Sequence, residues 1–253
     1  PVAERLKDEL RGRVSALRDR GVCPKLVLLR VGEDPASAVY VRAKQKACEA
    51  VGIISQSEHL AEEISAGDLL DRVAALGRDE SVHGLLVQLP LPPHLPEDQI
   101  LEAVDPEKDV DGFHPLNLGL LCLGTPRFVP ATPSGILKIL DFYDIETEGR
   151  RVAIVGRSRI VGRPLANLLS RKARAGNATV TLCHTATRDL ARATREAQIL
   201  VAAAGSKRMI TADMVSPDAV VVDVGMHREP DPERPGKNRL CGDVDFEALN
   251  GRV

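Results

Sequence analysis

Tryptophan is absent from this chain, and two Tyr and four Phe are its only other aromatics, 2% of 253 residues. A core must therefore be built from Leu, Val, Ile and Ala, and stacking platforms for single-stranded nucleic acid are hard to assemble. A charge excess is missing too: 34 Lys and Arg face 36 Asp and Glu, a formal net charge of -2. Neither nucleic acid nor a membrane surface finds an electrostatic footprint in that balance. No apolar run approaches the roughly 20 residues a membrane helix needs. Paired CxxC motifs and Cys/His clusters at metal spacing are lacking; Cys23, Cys48, Cys122, Cys183 and Cys241 are widely scattered. They read as reduced thiols used as small apolar residues, with no metal site. Nothing at the N-terminus resembles a signal peptide. The expected setting is the cytoplasm, with no nucleic-acid or membrane partner.

What is present is an ordinary globular composition, 43% hydrophobic and 28% charged, in a length that suits one large α/β domain or two modest ones. Leu6, Leu10, Val14 and Leu17 recur at helical spacing, and Gly21 stops that helix. Lys25–Val31 reads as a buried strand. After the turn Gly32-Glu33-Asp34-Pro35, Ser37 is the expected cap of a helix running to about Val51 and ending at Gly52. Ile53–Leu60 is a second strand, Leu69, Leu70, Val73 and Leu76 line a helix, and Val82–Leu89 is a third strand. Pro90, Pro92, Pro93 and Pro96 forbid its continuation, and 105–112 is a charged loop. A helix opening at Pro133 and Ser134 and reaching Tyr143 is expected to link two lobes.

The second half alternates. Strands are expected at Arg151–Val155, Ala178–Cys183, Ile199–Ala203 and Ala219–Val224, with helices at Pro164–Lys172 and Asp189–Ala197. Such alternation means a parallel, doubly wound sheet. Arg228–Lys237, rich in Pro and charge, reads as a surface loop.

Tyr40 and Lys44 stand four apart on the second helix, so they share a face. A lysine in a cleft can serve as base or proton donor; the plain alternative is a solvated helix lysine, since Arg42 and Lys46 flank it. Tyr-x-x-x-Lys is also the short-chain dehydrogenase signature, but there the pair follows the nucleotide loop, whereas here it precedes it. Gln88 ends an apolar strand at the carboxyl edge of its sheet, where α/β proteins bind ligands, or it merely caps that strand. Asp109 and Asp111 resemble a fragment of a calcium loop whose downstream ligands are missing; a buried Asp pairing with a heterocyclic N–H group fits better.

The loop Gly156-Arg157-Ser158-Arg159-Ile160-Val161-Gly162 lies between a strand and a helix start. It departs from GxGxxG, because Ser158 replaces the second glycine and the last glycine falls one position late. Its backbone N–H groups, Arg157 and the Ser158 hydroxyl suit a phosphate, against the alternative of an ordinary βα turn. The next strand ends Cys183-His184-Thr185-Ala186, without the acid that binds a ribose 2′-hydroxyl, so NADP is expected rather than NAD. The fold class that follows is α/β with two lobes and a cleft between them that holds the chemistry. One is an N-terminal α/β catalytic domain over 1–130, the other a Rossmann-like parallel-sheet domain over 131–253.

The ordered motifs resemble the bifunctional methylenetetrahydrofolate dehydrogenase/methenyltetrahydrofolate cyclohydrolase family over essentially the whole chain. They are Gly32-Glu33-Asp34-Pro35-Ala36-Ser37 leading to Tyr40 and Lys44, Gly84-Leu85-Leu86-Val87-Gln88-Leu89-Pro90-Leu91-Pro92, Lys108-Asp109-Val110-Asp111-Gly112, Pro130-Ala131-Thr132-Pro133-Ser134-Gly135, Gly156-Arg157-Ser158 with Val161-Gly162-Arg163-Pro164, and Gly242-Asp243-Val244-Asp245. The resemblance implies oxidation of 5,10-methylenetetrahydrofolate by NADP and hydrolysis of the methenyl product to 10-formyltetrahydrofolate. It implies a homodimer of one-carbon metabolism and purine biosynthesis. On it, Lys44 would be the central group of the hydrolytic step, Gln88 would hold Lys44, Tyr40 would stack on the folate rings and Asp111 would bind the pterin N–H groups. Val87, Leu89 and Pro90 would line the folate site beside them. Gly156, Arg157, Ser158, Thr185 and Met226 would contact the cofactor, Arg157 at its 2′-phosphate.

Two departures stand out. Thr185 takes the place of the family's usual Ser, keeping the hydroxyl. No Pro-Gly-Gly-Val-Gly-Pro motif or final helix follows Phe246, and an N-terminal strand is missing, so the ends at Pro1 and Val253 are expected to be clipped. Two other readings share parts of the pattern. A shikimate dehydrogenase-like enzyme leaves Val87–Pro92 unexplained. A binding module without catalysis is opposed by the intact Lys44, Gln88 and Asp111.

Overall fold

The computed structural model describes residues 2–234 and 236–251, apart from the side chain of Ala36; Pro1 and Val253, the expected clipped ends, lie outside the described residues. The chain divides into two compact units, Pro1–Val129 and Pro130–Val253.

The first unit runs α1 (Val2–Asp19), β1 (Lys25–Val31), α2 (Pro35–Val51), β2 (Ile54–Leu60), α3 (Ala66–Arg78), β3 (Gly84–Val87), α4 (Glu97–Glu102) and α5 (Pro115–Cys122). Its three strands pair in parallel in the order β2-β1-β3. Central β1 is buried on both faces, which is why it reads as a continuous apolar run. Val27, Leu29 and Val31 pack with Leu69, Val73 and Ile100, while Leu28 packs with Val41 and Leu86.

Helix α2 departs from expectation at its start. Oδ2 of Asp34 accepts the Ser37 N–H at 2.6 Å, so Asp34 is the cap and Ser37 lies buried inside the helix. Pro35, with its fixed φ and no N–H, suits the first helical position and leaves the cap to the residue before it. Gly52, at φ 84, closes the helix in the left-handed conformation. β3 is shorter than expected because the chain leaves the ladder before Pro90, which has no N–H to donate. Helices α4 and α5, with six and eight residues, were too short for a helical period to emerge.

The second unit runs α6 (Ala131–Phe142), β4 (Arg151–Val155), α7 (Gly162–Ser170), β5 (Thr179–Cys183), α8 (Leu190–Arg195), β6 (Ile199–Ala202), a 3-10 turn at Ala212–Met214, β7 (Val220–Asp223), β8 (His227–Pro230), β9 (Asn238–Cys241) and α9 (Phe246–Leu249). The main sheet is wholly parallel in the order β5-β4-β6-β7. The chain steps from β4 to β5 on one side and then to β6 on the other, which creates a switch point beside β4.

Of the expected surface loop at 228–237, the described residues from Asp231 to Lys237 are loop, while Arg228–Pro230 belong to β8, which pairs antiparallel with β9 across it. Its Glu229 and Asp231 are each only 7% exposed. Cations made this possible: Glu229 is gripped by Lys207, Arg208 and Arg239, and Arg234 Nε donates to Asp231 at 2.7 Å. Among the described residues no helix is long and apolar enough to cross a membrane.

Candidate active site and cofactor edge

In the first unit, the pair on α2 meets the end of β3. Lys44 Nζ donates to Oε1 of Gln88 at 3.1 Å. Gln88 is itself oriented, since its Nε2 donates to the Leu89 carbonyl at 2.7 Å and its backbone N–H to the Leu29 carbonyl at 2.8 Å. With the amide nitrogen engaged there, the amide oxygen is what faces Lys44. Tyr40, one turn earlier, is 41% exposed. Val87 is buried in the core, so it offers a ligand only its backbone; Leu89 packs against that core and Pro90 is exposed.

The two aspartates after β3 separate into different roles. Asp109 is buried and accepts from the backbone N–H groups of Phe113 at 3.2 Å and His114 at 2.9 Å, and from Asn117 Nδ2 at 2.8 Å. It closes its own loop. Asp111 receives no hydrogen bond from the described residues. Burial pushes its carboxyl above the ordinary carboxylate range, Lys44 draws it partly back, and Asp109 adds repulsion. The structure therefore brings Lys44, Gln88 and Asp111 together, with Asp111 keeping both oxygens for an incoming donor. No group of three or more His, Cys, Asp or Glu able to hold a metal occurs among the described residues.

In the second unit, the positions expected to hold a cofactor follow the carboxyl ends of three parallel strands: Gly156, Arg157 and Ser158 after β4, Thr185 after β5, and Met226 after β7. A Cβ on Gly156, at φ 123, would lie 2.0 Å from the Ala203 carbonyl oxygen, and one on Gly162 would lie 1.9 Å from that of Gly156. Both glycines are thus required for the loop to fold tightly onto the start of α7, the cradle that a dinucleotide pyrophosphate needs. Ser158 is oriented within the loop. Its Oγ accepts the Val161 N–H at 3.1 Å, which turns a lone pair to the helix start and leaves the O–H as the donor toward a phosphate.

Arg157 and Thr185 are exposed. The loop carrying Thr185 closes on itself, His184 N–H donating to Thr187 Oγ1 at 2.9 Å, and presents no acid to a 2′-phosphate. Met226 is 54% exposed and lines a cavity of about 370 Å³ with Asp223, Gly225 and Phe246. A second cavity, of about 460 Å³, lies at the approach to the amino end of β4 and contains none of these residues. The residues fit a bound dinucleotide.

Several residues at this edge had no role assigned from sequence. The loop Ala203–Gly205 after β6 abuts Gly156, and Asp223 and Asp243 bind the backbone of the neighbouring loops. The only signal for Asp243 was its place in Gly242-Asp243-Val244-Asp245.

A doubly wound parallel sheet with a tight glycine turn and an acid-free second loop defines a nucleotide-binding α/β protein. The chain belongs to the tetrahydrofolate dehydrogenase/cyclohydrolase family: residues 1–111 match its catalytic domain and residues 130–253 its NAD(P)-binding domain. The Bifunctional protein FolD of Syntrophus aciditrophicus (strain SB) is 50% identical over 252 residues, covering 100% of this chain and 86% of the relative. The bifunctional enzyme FolD, methylenetetrahydrofolate dehydrogenase/cyclohydrolase, of Campylobacter jejuni has a crystal structure that superposes with a TM-score of 0.92 at 44% identity, over 99% of this chain and 86% of that one. The Trypanosoma brucei methylenetetrahydrofolate dehydrogenase-cyclohydrolase, solved with NADP cofactor and inhibitor, gives a TM-score of 0.90 at 36% identity, over 98% and 84%.

Proposed function

We propose that this chain oxidises 5,10-methylenetetrahydrofolate to the methenyl form with NADP and hydrolyses that product to 10-formyltetrahydrofolate. The observation that carries this reading is the hydrogen bond from Lys44 to an amide oriented by its own backbone contacts, beside a desolvated Asp111 without donors. Residues 1–130 form the folate-binding catalytic domain and 131–253 the NADP-binding domain. The protein works in the cytoplasm in one-carbon metabolism and purine biosynthesis as a homodimer, with neither nucleic acid nor a membrane as partner.

Asp111 receives the amino and ring N–H groups of the pterin, which a carboxylate can accept in bidentate fashion. Tyr40 stacks on the folate rings, and Val87, Leu89 and Pro90 line the site around Gln88. Lys44 handles water and protons at the imidazolinium carbon. Gly156, Arg157, Ser158, Thr185 and Met226 hold NADP, with Arg157 at the 2′-phosphate. The cofactor, when bound, supplies the acceptor for the methylene hydride.

The test is a spectrophotometric assay with methylenetetrahydrofolate, comparing NADP with NAD and the wild type with Lys44→Met. NADP-dependent formation of methenyl product, with methenyl hydrolysis lost in the variant, is the expected result. Binding of NADP and folate without turnover of either substrate would reduce the protein to a binding module.

A further inference from the structure

Asp243 is fully buried in the second unit, yet it faces three loops at once. Its Oδ2 accepts the backbone N–H groups of Ala204 at 2.6 Å and Gly205 at 2.9 Å, in the loop after β6. Its Oδ1 lies 2.7 Å from Nε2 of His227, at the start of β8; facing a carboxylate, that nitrogen carries the proton and donates it. Its backbone N–H donates to Oδ1 of Asp223 at 2.9 Å, and Asp223 also receives the N–H groups of Gly225 at 3.0 Å and Val244 at 3.1 Å. The two aspartates cross-brace the loops after β6, β7 and β9.

The neighbouring glycines show how tightly this brace is drawn. A Cβ on Gly225 would lie 2.3 Å from the Asp243 nitrogen, and one on Gly242 would lie 1.6 Å from Asp223 Oδ2. Both positions must be glycine for the carboxylates to reach the N–H groups.

The strand order β5-β4-β6-β7 says which part of the cofactor rests on this brace. In doubly wound sheets the loop after the second strand, here the one with Thr185, takes the ribose bearing the 2′ group, and the dinucleotide crosses the switch point to the other half. The loops after β6 and β7 therefore lie under the nicotinamide half. Resting on the NADP reading above, we infer that Asp243 is a positioning residue for the nicotinamide half of the cofactor. It acts through the Ala204 and Gly205 amides and through His227, and it has no part in holding the adenosine half.

An asparagine at 243 replaces it poorly. Asparagine has one acceptor oxygen and one NH₂, so with the oxygen kept on the loop amides the NH₂ faces His227, a contact that survives only if the imidazole gives up its Nε2 proton for the other tautomer. The experiment measures direct binding of NADP and of 2′,5′-ADP, which carries only the adenosine half, to the full chain and its variants. Methenyl hydrolysis without cofactor is followed in parallel. Asp243→Asn is expected to weaken NADP about tenfold. Affinity for 2′,5′-ADP and the hydrolytic rate should stay within about twofold of wild type. His227→Ala should follow the same split to a smaller degree, and His227→Gln, which restores an N–H donor, should recover NADP affinity; these carry the test if Asp243→Asn does not fold. Equal weakening of NADP and 2′,5′-ADP, or unchanged NADP affinity in His227→Ala, overturns the inference. A wild-type chain that binds no NADP overturns the proposed function and this inference with it.

Discussion

Nζ of Lys44 and Oε1 of Gln88 are 3.1 Å apart, a contact between residues 44 positions distant in the chain. It joins the middle of α2 to the end of β3, and the second nitrogen-bound hydrogen bond of Gln88, to Leu89, leaves its oxygen directed at the lysine. A single amide thus holds Lys44 Nζ in place.

Replacing Lys44 with methionine keeps the length and apolar stem of the side chain and removes the proton carrier. Methenyl hydrolysis should fall about 10²- to 10⁴-fold with the melting temperature near wild type. Gln88→Met leaves the lysine present but unheld, and should cost about 10- to 100-fold in kcat. Single-turnover hydrolysis measured beside thermal melting separates the two cases from loss of fold.

Burial of Asp111 works against its charged form. Its folded-state carboxyl is raised above 3.8 by burial, so ionising it costs stability as pH rises from that value through the folded one. Asp111→Asn should therefore melt higher than wild type at pH 7, and the advantage should vanish well below pH 3.8, where both side chains are neutral. Folate binding should be weakened at the same time. Paired melting curves across pH test the sign, and a variant no more stable than wild type at pH 7 contradicts it.

Gly156→Ala should disrupt the cofactor edge. The residue sits at φ 123 with the Ala203 carbonyl 2.0 Å from any added Cβ. Strain and collision together should cost about 3 kcal/mol, read from the urea midpoint. Ser158→Ala removes the hydroxyl that accepts the Val161 and Gly162 N–H groups and should cost about 1 kcal/mol.

Glu229 is held ionised to about 2, first by Lys207 and then by Arg239 and Arg208. A carboxyl lowered on folding adds stability above its ordinary value of 4.5, and that contribution is lost as pH falls toward about 2. Glu229→Gln should lower the melting temperature at pH 7, and its gap from wild type should close across that window. Added salt should narrow the gap as well, since all three cations are partly exposed.

The central strands of the parallel sheets were legible because strands buried on both faces are predominantly apolar. β1 and β4 run as read, Lys25–Val31 and Arg151–Val155. The hairpin of β8 and β9 was hidden because its stability comes from Lys207 and Arg208, some 20 residues earlier, gripping Glu229. Within its own strands, His227–Pro230 and Asn238–Cys241, charged and polar residues outnumber apolar ones, which reads as loop.

The order of motifs along the chain was enough to name Lys44, Gln88 and the glycine loop, because helical spacing, strand ends and glycine turns are local consequences of residue type. The division of labour between like residues was not. Asp109 and Asp111 are chemically identical and two positions apart, and only the tertiary structure directs two backbone N–H groups and Asn117 to one while leaving the other open. Asp243 likewise gains its three donors only when the loops after β6 and β7 fold over it. For Asp109 the donors are near neighbours whose loop must first take its folded path, for Asp243 they lie 16 to 39 positions away, and residue type alone carries no record of which of them will arrive.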